Sequence, residues 1–140
     1  MLRISLALVL TVLACACGSF LHAQQVAEIN IFYNGAKEVP FRKELARLDS
    51  LLNTMDRSRI AWITLVGHAD SLFGRPSNAN LAEKRASHLK KLLVERHVKD
   101  QLITVTSFDT VPPVAEHIVA TGRSRNRRVF VRIEYAPSPE

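Results

Sequence analysis

Residues 26–33 (VAEINIFY) place Ile29, Ile31 and Tyr33 on one parity, the two-residue period of a strand. Asn34-Gly35 then marks a turn. Pro40 stands where a helix can begin, and residues 41–55 carry Leu45, Leu48, Leu51 and Leu52 at spacings of three and four. Arg42, Lys43, Arg47 and Asp49 take the wet side of that amphipathic helix. Residues 61–67 (AWITLVG) are continuously apolar, which predicts a strand buried on both faces. Residues 70–78, with Gly74 and Pro76, form a polar loop.

A second helix is expected from about Ala79 to Arg96. Ala82, Ala86, Leu89 and Leu93 make its apolar stripe, Glu83, Lys84, Lys90 and Lys91 face out, and Asn78 or Asn80 caps its start. Residues 102–108 and 129–135 are two further strands. In the last, Val129, Val131, Ile133 and Tyr135 share one face, while Arg128, Arg132 and Glu134 share the other. Residues 109–125, with Pro112-Pro113 and Gly122, form a loop or short-helix region. The order is strand–helix–strand–helix–strand–strand, without an internal repeat. It predicts an α/β (α+β) sandwich with helices packed on a mixed sheet.

The first 23 residues follow a different logic. Arg3 precedes an apolar stretch from Ile4 to about Cys17, and Leu21-His22-Ala23 closes a more polar segment. That is the layout of a secretory signal peptide cleaved after Ala23, leaving residues 24–140 as one domain. Two alternatives stand beside it. Val12-Leu13-Ala14-Cys15 resembles a lipobox that would lipidate Cys15, and residues 4–23 are just long enough to span a membrane as an uncleaved anchor at ~1.5 Å per residue. All three place the domain outside the cytoplasm. Cleavage at Ala23 would remove both cysteines, and with them any disulfide or thiolate metal site.

Composition narrows the picture further. The chain has 140 residues, 47% hydrophobic and 23% charged, the ordinary range of one globular domain. Its 19 Lys and Arg against 13 Asp and Glu give +6, which suits an anionic partner without identifying one. Arg123, Arg125, Arg127, Arg128 and Arg132 concentrate the charge. The export signal and the lack of interleaved aromatic residues argue against nucleic acid.

Catalytic signatures are missing. His68, Asp70 and Ser71 are too close in sequence to form a relay, and no nucleophile elbow, P-loop or dinucleotide motif occurs. His68 with Asp70, or Glu116 with His117, supplies two metal ligands and signals no third. The sequence therefore predicts a non-enzyme without a cofactor.

Residues 67–86 (GHADSLFGRPSNANLAEKRA) are the most informative stretch. Asp70 follows the end of a strand, where open α/β sheets place ligands. Arg85 lies fifteen residues on, in the first turns of the second helix, so both can border one pocket. The two may simply pair as a surface ion pair. Alternatively they hold a zwitterion, with Asp70 on an ammonium and Arg85 bidentate on a carboxylate, and the helix N-terminus favours the anionic end.

Gly67-His68-Ala69-Asp70, Asn78, Leu81-Ala82-Glu83-Lys84-Arg85-Ala86 and Asn126-Arg127-Arg128-Val129 occur in this order. In that combination the chain resembles the OmpA-like C-terminal domain, the peptidoglycan-binding module shared with peptidoglycan-associated lipoprotein. The resemblance covers residues 29–135. It implies that Asp70 and Arg85 grip the meso-diaminopimelate of the peptidoglycan peptide stem, with Asn78 and Arg127 beside the ligand. Asn126 and Arg128 would hold the loop and strand in place. It also implies a periplasmic location, or one at the periplasmic face of the outer membrane. It specifies no oligomeric state.

The chain departs from the family pattern at several positions. Ala69 replaces a Thr, Ala82 a Ser, and Tyr33 or Asn34 stands where an Asp often borders the ligand. Gly74 sits one place later than the loop glycine, and residues 107–109 replace a Gly-rich turn. The leading expectation is a non-catalytic wall anchor. These departures motivate the alternative, a degenerate scaffold that binds another envelope protein.

Overall fold

The first strand, β1 (Val26–Phe32), runs antiparallel to the last, β4 (Arg128–Tyr135), pairing Ile29 with Val131 and Ile31 with Val129. On its other side β4 pairs antiparallel with β2 (Ile60–His68), setting Ile63 against Ile133 and Leu65 against Val131. Strand β3 (Ile103–Ser107) completes the order β1-β4-β2-β3, parallel to β2. The sheet is mixed, as expected. The computed structural model describes residues 25–68, 76–107 and 120–137, and all statements about structure concern these.

Helix α1 (Arg42–Asn53) follows β1 and buries Leu48 and Leu52. Helix α2 (Pro76–Glu95) supplies the crossover between the parallel strands β2 and β3. Its stripe is the expected one: Ala82, Ala86, Leu89 and Leu93 are all buried. The short helix α3 (Ala120–Asn126) precedes β4, inside the predicted loop or short-helix region.

Both long helices contribute to one core with Ile31, Ile63, Leu65, Val129, Val131 and Ile133, which share one face of the sheet. This corrects the expectation for β2. Its alternate residues are only half-buried at Ala61, Thr64 and Val66, and Trp62 is 43% exposed. The apolar run signals a strand, but helices packed on one face leave its second face open.

Helix α2 also begins earlier than expected. Proline needs no N–H partner and has a helical φ, so Pro76 suits the first helical position. Asn78 and Asn80 lie inside the helix and neither caps it. Arg85 is consequently its tenth residue, in the third turn, one turn deeper than a start at Ala79 would place it. At the other end, His97 adopts φ +64°, and Val98 and His97 donate N–H bonds to the carbonyls of Leu93 (3.1 Å) and Val94 (2.9 Å). That pattern is a Schellman stop with the buried Val98 closing it. Arg96 donates to both carboxylate oxygens of Asp49, which ties the end of α2 to α1 and holds the Asp49 carboxyl below its usual range.

The carboxyl ends of β1, β2 and β3 meet the start of β4 at one end of the sheet. Phe32 and His68 both pair with Arg128 there, and Gly67 pairs with Ser107. The candidate site lies at this end, where strand-to-helix loops leave an open sheet.

Candidate functional site

Tyr33 is the residue immediately beyond β1, and its backbone N–H donates to the carbonyl of Arg127 at 3.0 Å. The chain then turns. Gly35 takes φ +46°, a conformation glycine enters readily, and Lys37 N–H closes the turn on the Asn34 carbonyl at 2.9 Å. The turn aims the carbonyls of Gly35 and Lys37 at helix α2.

Arg85 receives them. Its Nε donates to the Lys37 carbonyl (3.0 Å), Nη2 to Gly35 (2.5 Å) and Nη1 to His68 (3.4 Å). The guanidinium carbon lies 5.1 Å from the centre of the Tyr33 ring, and the Tyr33 hydroxyl donates to the Arg85 carbonyl at 3.4 Å. Arg85 is fully buried and Tyr33 is 1% exposed. Removing a guanidinium from water is costly, and the three carbonyl dipoles and the ring face offset that loss. Burial pushes the Tyr33 phenol up despite the opposing Arg85 charge, so it remains a neutral donor.

His68 is also buried, at the carboxyl end of β2. Its pKa falls to about 4, first from burial and then from the Arg128 charge, so the ring is neutral at pH 7. This end of β2 thus presents two buried cations, Arg85 and Arg128, beside a neutral imidazole.

The four residues expected at the site are not equally placed. Arg85 is held at the end of β2 as described. Asn78 belongs to the first turn of α2. Asp70, two residues beyond His68 in the chain, lies outside the described residues, as does the Asn78 side chain. Arg127 precedes β4 and borders a cavity of about 240 Å³ with Tyr33, Phe41, Glu44 and Arg125. Tyr33 connects the two arginines, bonding the Arg127 carbonyl through its backbone and Arg85 through its ring and hydroxyl.

Sequence reasoning treats Tyr33 as a departure from an acidic position. In the structure it is the buried plate against which Arg85 lies. The Asn34-Gly35 turn signal was visible, but its use as a source of carbonyl acceptors was not. Glu44 is a second surprise: it occupies a buried position on α1 and takes a 2.6 Å bond from Arg47 one turn on. No group of three or more His, Cys, Asp or Glu could hold a metal among the described residues. None of the described helices is long and apolar enough to cross a membrane.

Residues 31–127 match the model of the OmpA family, and the chain belongs to that family. It is 27% identical over 107 residues to outer membrane porin F of Pseudomonas fluorescens, covering 76% of this chain and 33% of that protein. It is 35% identical over 69 residues to the peptidoglycan-associated lipoprotein of Buchnera aphidicola subsp. Baizongia pistaciae, covering 49% of this chain and 40% of that one. The chain spans about a third of the length of the curated relatives it matches first. Among solved structures, the cell wall anchor of the type VI secretion system (T6SS) from Pseudomonas aeruginosa superposes with a TM-score of 0.63 at 19% identity. That match covers 96% of this chain and 100% of the other, and it shows the shared fold. The relatives named here belong to the outer membrane and cell envelope, and no catalytic family is indicated.

Proposed function

We propose that this domain is a non-catalytic peptidoglycan-binding module. In this reading it grips the meso-diaminopimelate of the peptide stem between Asp70 and Arg85, and so anchors itself to the cell wall. It works outside the cytoplasm, in the periplasm or at the periplasmic face of the outer membrane. The observation that carries the reading is the fixing of the Arg85 guanidinium by the His68 carbonyl, at the strand end from which the chain continues to Asp70. The names of the peptidoglycan-associated lipoprotein and the cell wall anchor support the same substrate class.

Diaminopimelate carries an ammonium and a carboxylate on one carbon, so an acid and a base held close together match both charges. Asp70 takes the ammonium and Arg85 the carboxylate, with Asn78 and Arg127 flanking. Because Arg85 is buried under the 34–37 turn, its carboxylate contact exchanges a charged acceptor for one of the carbonyls it now holds. The gain is the difference between a charge-assisted and a neutral hydrogen bond.

Sedimentation with purified sacculi tests the proposal. A wall built on diaminopimelate should retain the protein. A wall built on lysine lacks the second carboxylate and should bind more weakly by about 1–3 kcal/mol. Asp70→Asn should abolish retention with the fold intact by circular dichroism. Equal retention on both walls, or full retention of the variant, would remove the diaminopimelate assignment.

A further inference from the structure

The face of the sheet turned away from both long helices carries a second feature. Asn30 and Phe32 of β1 stand opposite Phe130 and Arg128 of β4 in register. With Arg125 they line a cavity of about 520 Å³. Arg128 is 6% exposed. It makes one long hydrogen bond, from Nη1 to the Arg125 carbonyl at 3.4 Å, and no carboxylate lies within ion-pair distance among the described residues. His68, its register partner on β2, is neutral at pH 7.

Other arginines of the domain are treated differently. Arg132, four residues along the same face, is held by Glu28 at 2.9 Å and Glu134 at 3.0 Å. Arg96 has Asp49, and Arg47 has Glu44. A buried cation without an anion is destabilising, because desolvation is not offset by a partner charge. Burial accordingly holds Arg128 below the ordinary arginine value. A second mismatch lies beside it: the side-chain oxygen of Asn30 is buried and accepts no hydrogen bond.

We propose that Arg128 and Arg125, with Phe32, Phe130 and Asn30, form a second ligand site for a small carboxylate or phosphate borne on an apolar body. The guanidinium takes the oxyanion in its planar fork. The two phenyl rings cover the apolar part, and the Asn30 oxygen accepts an N–H or O–H that the ligand carries next to its charge. The site lies on the opposite face of the sheet from the core that holds Arg85, and it does not depend on the peptidoglycan reading.

N-acetylphenylalanine is the probe, since it has a carboxylate, an adjacent N–H and an apolar ring. Its uncharged amide and inorganic phosphate serve as the comparison arms at fixed ionic strength. Bound ligand stabilises the folded state, so saturating N-acetylphenylalanine should raise the Tm by several degrees and shift the Asn30 and Phe130 amide resonances. Phosphate should act more weakly and the amide not at all. Arg128→Met should weaken binding about tenfold or more while raising the Tm of the ligand-free protein, because it removes an uncompensated charge. Arg125→Gln, on an exposed side chain, should weaken binding with the fold unchanged. An equal effect of the amide, or no effect of any probe, would overturn the proposal. So would a lower ligand-free Tm in Arg128→Met, since that result assigns Arg128 a purely structural role.

Discussion

A β-carbon built on Gly67 would stand 2.1 Å from the carbonyl oxygen of Ala82 and 2.7 Å from its carbonyl carbon. Both are backbone atoms, so no side chain can rotate away to make room. Strand β2 and helix α2 therefore pack at a distance that only glycine permits, and this contact sets the height at which Arg85, three residues beyond Ala82, meets the end of β2. Gly67→Ala should cost about 2–3 kcal/mol in urea unfolding, at the upper end for an overpacked site. A cost below about 1 kcal/mol would mean that the helix can lift without loss.

Tyr33 separates two roles that a single substitution can distinguish. Tyr33→Phe keeps the ring over Arg85 and removes one long hydrogen bond, so its cost should stay near or below 1 kcal/mol. Tyr33→Ala deletes a fully buried ring and should cost about 3–5 kcal/mol while loosening the guanidinium. Equilibrium unfolding of the pair checks this. Similar losses in both variants would place the stabilisation in the hydroxyl instead.

The regular elements were legible because period and punctuation agreed. The stripe of Ala82, Ala86, Leu89 and Leu93 and the alternating parity of β4 both report packing against one neighbour, which sequence spacing encodes directly. The open second face of β2 was not legible, since an apolar run specifies a strand without saying how many layers cover it. The start of α2 was missed for a local reason: Pro76 reads as a loop residue until its fitness for the first helical position is weighed against Asn78 as a cap. At the proposed site, the spacing between Asp70 and Arg85 nominates Arg85. The carbonyls of Gly35, Lys37 and His68 that hold it are backbone groups, invisible to any residue pattern. The buried state of Arg128 had the same cause, because the sequence shows a basic cluster and not which of its members lacks an acid.

His97 ends helix α2 in a left-handed conformation that glycine usually occupies. Its side chain is exposed, so little packing is lost on truncation. His97→Gly should stabilise the domain by about 0.5–1 kcal/mol, the relief of backbone strain exceeding the entropy glycine adds to the unfolded chain. Thermal unfolding measures it. A lower Tm would show that the His97 side chain contributes a contact that outweighs the strain.

Stability should fall on mild acidification because of His68. Its folded pKa is about 4, below the 6.5 of the unfolded chain. Above pH 6.5 neither state binds the proton and the contribution is fully present. As the pH drops from 7 to 5 the unfolded state takes up a proton that the folded state refuses, and about 2 kcal/mol is lost. Urea unfolding at pH 7 and pH 5 measures this loss. His68→Gln should flatten the slope there. An unchanged slope would assign it to another group.

In the proposed function one acidic and one basic side chain clasp an amino acid bearing both charges. Titration of the labelled protein with free meso-diaminopimelate, followed by nuclear magnetic resonance, tests it without a cell wall. Saturable shifts are expected at the backbone amides of Tyr33, Gly35 and His68 and at the Arg85 Nε–H. They should be absent in Asp70→Asn, and Nα-acetyl-lysine amide, whose free ammonium has no carboxylate on its carbon, should bind about tenfold or more weakly because a single missing charge contact is worth that much. Equal shifts with Nα-acetyl-lysine amide, or a full response in Asp70→Asn, would rule out the clasp.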